Sequence, residues 1–304
     1  MLNVFVTYTD KKRGELSGLL SLSLSMELDV PADSLTLTVP YADRLADADY
    51  ITVQEDGETV FYGQTDEIAA LLTAQSRVTR ITARSLAGAL LDNEAEPLMY
   101  TNPSSALMFE RHLRPFGVEV YDMERHPYYG TLHIDKGMSH WQVLANYCMN
   151  RYGSVPRIEG RRAYLKGYFP EGEVVFGEKG IVCTEAREYR RRHKLISAVR
   201  LRLNRENGYN AGMVNPDPDA AFIRRVRYVN AVSGSATPET ARRLLRASCR
   251  AAYQLRLRCP GLHVQALGKR ASFEGRTGLR VSGVRFSLSE QGAYTDVTLR
   301  KDDA

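Results

Sequence analysis

In the run Leu20-Ser21-Leu22-Ser23-Leu24-Ser25-Met26-Glu27-Leu28 every second residue is apolar. Successive side chains of a strand point to opposite faces. A segment like this therefore folds as a β-strand with one buried and one wet side, and a helix would scatter the same leucines around its surface. Leu35-Thr36-Leu37-Thr38-Val39 repeats the pattern, and Pro40, which has no N–H to give to a ladder, is expected to stop it. Ile51-Thr52-Val53 and Val60-Phe61-Tyr62 flank Asp56-Gly57, the dipeptide that accepts the positive φ of a tight hairpin. A further strand is expected over Arg77–Ala83. Short half-buried strands at this spacing predict a small antiparallel sandwich or barrel for the first ninety-odd residues.

The middle of the chain changes period. Asn102-Pro103 reads as an N-cap followed by proline at the first helical position, opening a helix over Ser104–Leu113 that Pro115 and Gly117 end. A second helix opens at Ser139 with Gln142 at capping-box spacing. It buries Trp141, Leu144, Ala145 and Cys148, and Gly153 closes it. Gly130–Ile134 and Arg161–Leu165 read as short strands. The last third returns to alternation at Val199, Leu201 and Leu203, with strands expected at Phe222–Val229, Gly261–Leu267, Leu279–Leu288 and Ala293–Arg300. One helix interrupts them, from Pro238 to about Leu255, with Thr237 as N-cap. Its core face is Ala241, Leu244, Leu245, Ser248 and Ala252, and Arg243, Arg246 and Arg250 form a basic stripe elsewhere on it. Asn204–Asp219, rich in Asn, Gly and Pro, reads as an exposed loop. The expected class is α+β, mainly β, with residues 1–95, 96–180 and 181–304 as three successive parts.

The 304 residues, 43 % apolar and 25 % charged, are those of an ordinary globular chain rather than a disordered one. No stretch reaches the 18 or so uninterrupted apolar residues of a membrane-spanning helix, so no membrane insertion is expected. MLNVFVTYTDKKRG has no charged segment ahead of an apolar core, so no signal peptide is expected. Cys148, Cys183, Cys249 and Cys259 form no C-x-x-C pair and read as reduced, mostly buried thiols, in keeping with synthesis in a reducing cytoplasm. The net charge of +5 hides an asymmetry. Residues 1–95 hold 15 acids and 7 bases, a net of −8, whereas residues 181–304 hold 11 acids and 24 bases, a net of +13. Such a split suits contact with a polyanion. It equally suits a ring in which an acidic end of one subunit meets a basic end of the next.

Motifs that carry chemistry are absent from the sequence: no G-x-S-x-G, no phosphate-binding glycine loop, no H-E-x-x-H. His126, His133 and His140 recur at intervals of seven but straddle a proline turn, a strand and a helix start, so they are not expected to converge on a metal. Glu94 and Glu96, or Glu171 and Glu173, are neighbours in sequence rather than carboxylates flanking a cleft. No catalytic residue, cofactor or metal is therefore expected. The sharpest local feature is Tyr189-Arg190-Arg191-Arg192-His193-Lys194. It could hold phosphates, with Tyr189, Tyr209 and Tyr228 stacking on bases. A basic contact patch ahead of a strand is the reading favoured here, with the tyrosines packed in the sheets, since no nucleic-acid motif accompanies the run.

An ordered set of segments resembles the baseplate hub family of contractile phage tails and related injection systems, the late-control protein D-like and Mu-like hubs. It comprises Asp33-Ser34-Leu35-Thr36-Leu37-Thr38-Val39-Pro40, then Ile51–Gly57. Val60-Phe61-Tyr62-Gly63-Gln64-Thr65-Asp66-Glu67-Ile68 follows, then Ile81-Thr82-Ala83-Arg84-Ser85 leading into Leu90–Glu94. Lys136–Leu144 and Val155–Ile158 also look like the module that follows in such hubs, so the likeness covers about half the chain. The resemblance implies two tail-tube-type β-barrels, residues 1–95 and 181–304, around the 96–180 module. It implies a homotrimer offering six barrels, a symmetry adapter between a sixfold tail tube and a threefold spike. The implied partners are the spike, the tail tube protein and baseplate wedge proteins, with the tape-measure protein as a further candidate. The implied location is the baseplate of a virion or tail-like particle assembled in the bacterial cytoplasm. Arg190, Arg191, Arg192, Arg243, Arg246 and Arg250 are the expected contact residues. Two other readings stand beside it: the N-terminal scaffold of a tail-associated cell-wall hydrolase, which would need a further catalytic domain that a chain ending at Ala304 lacks, and a nucleic-acid-binding protein using the basic last third.

Overall fold

The computed structural model describes residues 1–123, 128–203, 208–230 and 238–302. The chain forms two compact units. Unit 1 is Met1–Pro170 with Pro260–Gly268 and Gly283–Thr295; unit 2 is Glu171–Cys259 with Lys269–Ser282 and Asp296–Ala304. The architecture is mainly β with a few short helices, the α+β class expected.

Unit 1 is built on an antiparallel sheet in which Ser21–Glu27 and Ser34–Pro40 form a hairpin, followed across the sheet by Arg77–Ser85, Glu58–Leu72, Ala48–Glu55, Leu2–Tyr8 and Arg13–Glu15. The alternation read from the sequence becomes register. Leu22 and Leu24 lie opposite Leu37 and Leu35, and all four are buried. Pro40 ends its strand as expected, opposite Val78. The Asp56-Gly57 turn has φ values of 49° and 88°, the positive pair that a type I′ hairpin requires. Gly63 is irreplaceable for a different reason: a Cβ there would lie 2.3 Å from the Arg84 carbonyl oxygen, inside any permitted contact.

Against this sheet pack helix α1 (Ala87–Asp92), helix α2 (Ser105–His112) and helix α3 (His140–Tyr152), whose side chains fill a core centred on Leu90, Met108, Leu113, Leu144, Tyr147 and Ile158. Helix α3 begins as its sequence dictates: the Gln142 N–H donates to Ser139 Oγ at 3.2 Å while Gln142 Oε1 accepts from the Ser139 N–H at 2.8 Å. Gly153, at φ 69°, closes it. Its buried face is wider than expected, including Val143 and Tyr147. Helix α2 corrects the sequence reading. Ser104, not Asn102, is the cap, accepting from the Leu107 N–H at 3.1 Å. Asn102 sits at φ 50° and accepts from the Gly130 N–H instead.

In unit 2, Glu185–Arg190 pairs with Tyr253–Pro260, and Glu173–Phe176 runs parallel to Arg270–Phe273, which pairs with the start of Arg276–Ser289. A separate three-stranded sheet places Ala198–Arg202 between Ala211–Val214 and Val226–Asn230. Helix α4 (Pro238–Ala252) covers one face of it, with Ala241, Leu245, Val199 and Leu201 at the contact. Leu244 is half-buried there and Ser248 and Ala252 are buried, as its pattern indicates. Four expectations are corrected. The segment 204–219 is not all loop, because Ala211–Val214 is a strand. Phe222 is 85 % exposed and ends the 3₁₀ turn Pro218–Phe222, so the strand starts only at Val226. Gly261–Leu267 holds a 3₁₀ turn in place of a strand. Helix α4 stops at Ala252, where Leu255, Leu257 and Cys259 begin an alternating strand. Thr237 and residues 204–207 lie outside the described residues.

The two layers of unit 1 are joined by a buried ion pair. Arg157 donates to both Asp33 carboxylate oxygens at 2.9 and 3.0 Å, and each side chain is 4 % exposed. The guanidinium also reaches the Glu27 carbonyl and lies 5.3 Å from the Tyr168 ring. The Asp33 N–H donates to Ser85 Oγ and the Asp33 carbonyl accepts from the Ser85 N–H, both at 2.9 Å. Burial pushes the Asp33 carboxyl up to about 6, against the pull of the adjacent Arg157 charge. Removing one partner leaves the other as an uncompensated buried charge. Asp33→Ala or Arg157→Ala is therefore expected to cost about 3–5 kcal/mol in urea unfolding, while Asp33→Leu combined with Arg157→Met recovers most of the loss. Equal losses in the singles and the double would show that the pair is not what joins these layers.

Candidate interaction surfaces

The six arginines expected at contacts fall in two places of unit 2. Arg190 ends the strand Glu185–Arg190 and forms an ion pair with Glu188 at 2.8 Å; Glu188 is also held by Arg276 at 2.9 Å. Arg191 is half-buried, with its guanidinium 5.2 Å from the Tyr189 ring centre and Arg256 at 5.4 Å from the same ring. Arg192 opens a short 3₁₀ turn, Arg192–Lys194, and is exposed. The run meets the end of α4, where the Arg191 N–H donates to the Ala252 carbonyl at 2.7 Å. It is thus the backbone of the run that meets the helix end, a contact its sequence did not reveal. A cavity of about 150 Å³ lies among Arg190, Arg191, Arg192, Lys301, Asp217 and Asp219. Lys301 holds Asp217 at 2.6 Å, so the cavity is charge-balanced rather than a bare anion site. Along α4, Arg246 is exposed and Arg243 and Arg250 are half-buried.

The tyrosines correct an expectation. Tyr209 and Tyr228 pack edge-to-face on each other at 5.1 Å, but Tyr228 remains 66 % exposed, on the face of the three-stranded sheet opposite α4. Arg200, Val214 and Val226 share that face.

In unit 1, the side of the sheet turned away from the Val6, Ile51 and Val53 row carries Thr7, Tyr50, Thr52 and Tyr62, which line an open cavity of about 540 Å³ with Arg13 and Arg161. Tyr50 and Tyr62 stack at 5.4 Å with planes 7° apart, and Arg161 lies 4.8 Å over Tyr62 and donates to its hydroxyl at 2.8 Å. Arg161 is also paired with Glu119, and Lys11 at the cavity's edge with Asp49 at 3.0 Å, so the aromatic platform is charge-balanced, and nothing in the sequence beyond the alternating Tyr50 and Thr52 signalled it.

Of the three histidines spaced by seven, His133 and His140 lie on separate elements. His133 is exposed on the strand Thr131–Ile134, His140 begins α3, and His126 lies outside the described residues. His140 instead meets His112 of α2, Nδ1 to Nδ1 at 2.9 Å, while His112 Nε2 lies 3.2 Å from the Tyr100 hydroxyl. One ring nitrogen of such a contact must donate and the other accept, so at least one ring is neutral. Burial, reinforced by His140 and Arg111, lowers His112 to about 4. Among the described residues no cluster of three or more His, Cys, Asp or Glu is placed to hold a metal. Glu94, one of the sequence-neighbour carboxylates, is exposed and accepts from the Gly137 N–H at 2.6 Å.

Comparison with solved structures places the fold. The tail protein from Neisseria meningitidis MC58 superposes with a TM-score of 0.78 over 99 % of this chain and 97 % of its own, at 19 % identity. The 43 kDa tail protein of prophage MuSo2 from Shewanella oneidensis gives 0.74 over 98 % and 97 %, at 14 % identity. The chain has the fold of these phage tail proteins. The same fold extends to the E. coli c3393 protein, a type VI secretion component similar in structure to the T4 tail proteins gp27 and gp5, at a TM-score of 0.59 and 10 % identity over 94 % of this chain and 74 % of that one. No protein-family model matches the chain, and no curated protein matches its sequence. Among the described residues no helix is long and apolar enough to cross a membrane.

The histidine pair is expected to make unit 1 acid-sensitive. His112 binds its proton near pH 4 when folded and near 6.5 when unfolded, so the unfolded chain takes up the extra proton in between. Stability is full above pH 6.5 and declines as pH falls toward 4, by about 3 kcal/mol at most from this group. Urea titrations at pH 7, 5.5 and 4.5 should show the decline, and His112→Gln should flatten it. An unchanged slope in the variant would assign the acid sensitivity elsewhere.

Proposed function

We propose that this protein is a structural, non-catalytic subunit of a phage-type tail or related injection machine, the baseplate hub that joins tail tube to spike. The observation that carries the reading is the likeness over nearly the whole of both chains to two tail proteins. Support comes also from an injection-machine complex: the chain shares its fold, at a TM-score of 0.62 and 8 % identity over 99 % of its length, with a chain of a PdpA–VgrG complex, of which it spans 64 %. Three copies, each with two related β parts, would form a pseudo-sixfold ring facing the tube on one side and the spike on the other. Spike, tube protein, wedge proteins and tape-measure protein are its candidate partners, and the particle's baseplate its location.

The charge split gives the ring a register. An acidic N-terminal region, net −8, would lie beside the basic C-terminal region, net +13, of a neighbouring copy. Complementary potentials fix orientation and speed assembly more than they add affinity. Arg192 and Arg246 are the exposed members of the six arginines away from the described ion pairs and are the foremost contact candidates. Light scattering of the purified protein across a salt series is expected to give a trimer that dissociates as salt rises. Arg192→Glu with Arg246→Glu should lower the trimer fraction at low salt without changing the unfolding midpoint. A trimer indifferent to both salt and the charge reversals would contradict the electrostatic register. Salt-dependent binding of generic DNA by a monomer would favour the polyanion reading instead.

A further inference from the structure

Two of the four cysteines, 76 residues apart in sequence, meet in unit 2. Cys183 Sγ and Cys259 Sγ lie 3.2 Å apart. Cys259 is the penultimate residue of the strand Tyr253–Pro260, and Cys183 lies two residues ahead of its partner strand Glu185–Arg190. The Thr184 N–H donates to the Arg258 carbonyl at 2.8 Å, so backbone hydrogen bonding at the adjacent residues holds the two thiols in place. A disulfide needs the sulfurs to close by only about 1 Å more. The other two cysteines have different surroundings: Cys148 is fully buried in the unit 1 core, and Cys249 Sγ sits 3.5 Å from Asn215 Oδ1.

We propose that Cys183 and Cys259 are a modification site, closing to an intramolecular disulfide when the protein meets an oxidising medium. Access and reactivity are divided between them. Cys183 is half-buried and lines a cavity of about 310 Å³ with Gly177, Val182, Glu185, Phe273 and Glu274, whereas Cys259 is fully buried. The hydrogen bond shared with Cys259, helped by the Gly177 backbone, lowers the Cys183 thiol, and the same bond together with burial raises Cys259. Cys183 is therefore the attacking sulfur and Cys259 the resolving one.

With a small-molecule disulfide such as oxidised glutathione as oxidant, the Cys183 thiolate attacks one glutathione sulfur and the S–S bond of glutathione breaks. One glutathione leaves as a thiolate that takes up the proton Cys183 has lost. The Cys259 sulfur then attacks Cys183 in the mixed disulfide, and the second glutathione leaves and takes up the Cys259 proton. Two protein thiols are oxidised and one glutathione disulfide is reduced to two thiols. The segment between the two cysteines contains α4 and the whole three-stranded sheet. The crosslink would staple that excursion at its base and constrain it in the unfolded chain.

The test incubates the purified full-length protein with oxidised glutathione, quenches with acid, and maps peptides without reduction. The expected result is a mass lower by two hydrogen atoms and a single linked pair joining the Cys183 and Cys259 peptides. The link is absent in Cys183→Ser, and the wild-type melting temperature rises by roughly 5 °C or more on oxidation. Four free thiols after exposure, a glutathione adduct persisting on Cys183, or a link through Cys148 or Cys249 would overturn the site. A correct link with no rise in melting temperature would overturn its role as a staple.

Discussion

The contact on which unit 1 depends is the buried pair of Asp33 and Arg157. Asp33 belongs to the turn that enters the strand Ser34–Pro40, Ser85 ends the strand Arg77–Ser85, and Arg157 begins a short strand beyond α3. One carboxylate and its own backbone thus tie together three segments far apart in sequence. Hydrophobic burial alone would let the sheet and the helical layer slide over each other, since apolar contacts have no preferred direction. Here one guanidinium nitrogen, Arg157 Nη2, is shared by both Asp33 oxygens, a charge-assisted and directional contact that apolar packing does not supply. A second ionic link stands nearby and is wetter. Arg84 donates to Asp66 at 2.7 and 2.9 Å and to Asp92, the last residue of α1, at 2.6 and 3.2 Å. Asp66 can reach it because the pairing shifts register there, a bulge that re-aims its side chain.

These contacts explain why the sequence resemblance took the form it did. Asp33, Gly63, Asp66, Arg84 and Ser85 looked like separate points in an ordered pattern. In the fold they are neighbours: Gly63 passes under the Arg84 carbonyl, Asp66 binds the Arg84 side chain, and Ser85 binds Asp33. A pattern of this kind is a record of how one layer is clamped, not of a chemical site.

The strands Ser21–Glu27, Ser34–Pro40 and Arg77–Ser85 were legible because each has one wet and one dry face, so burial writes a period of two into the sequence, whereas Leu2–Tyr8 and Arg13–Glu15 went unread. The capping box of α3 was legible because both of its hydrogen bonds are local. Misreadings cluster where local signals compete. Asn102 and Ser104 are both good caps, and only the position of the Gly130 backbone decides between them. Helix α4 and the strand after it share a continuous run of apolar and basic residues, and the switch at Tyr253 is imposed by pairing with Glu185–Arg190, a partner more than sixty residues away. The His112–His140 and Cys183–Cys259 contacts were invisible for the same reason: they join residues 28 and 76 positions apart. Of the six arginines, the sequence identified the basic run but not that it sits at the end of α4.

We propose that this protein forms a ring between a tube and a spike. Electron microscopy of the purified protein, with class averages calculated without imposed symmetry, tests it most directly. The account predicts closed rings with threefold symmetry and six similar lobes around a central opening. Single asymmetric particles, or rings whose subunit number is not a multiple of three, would contradict it.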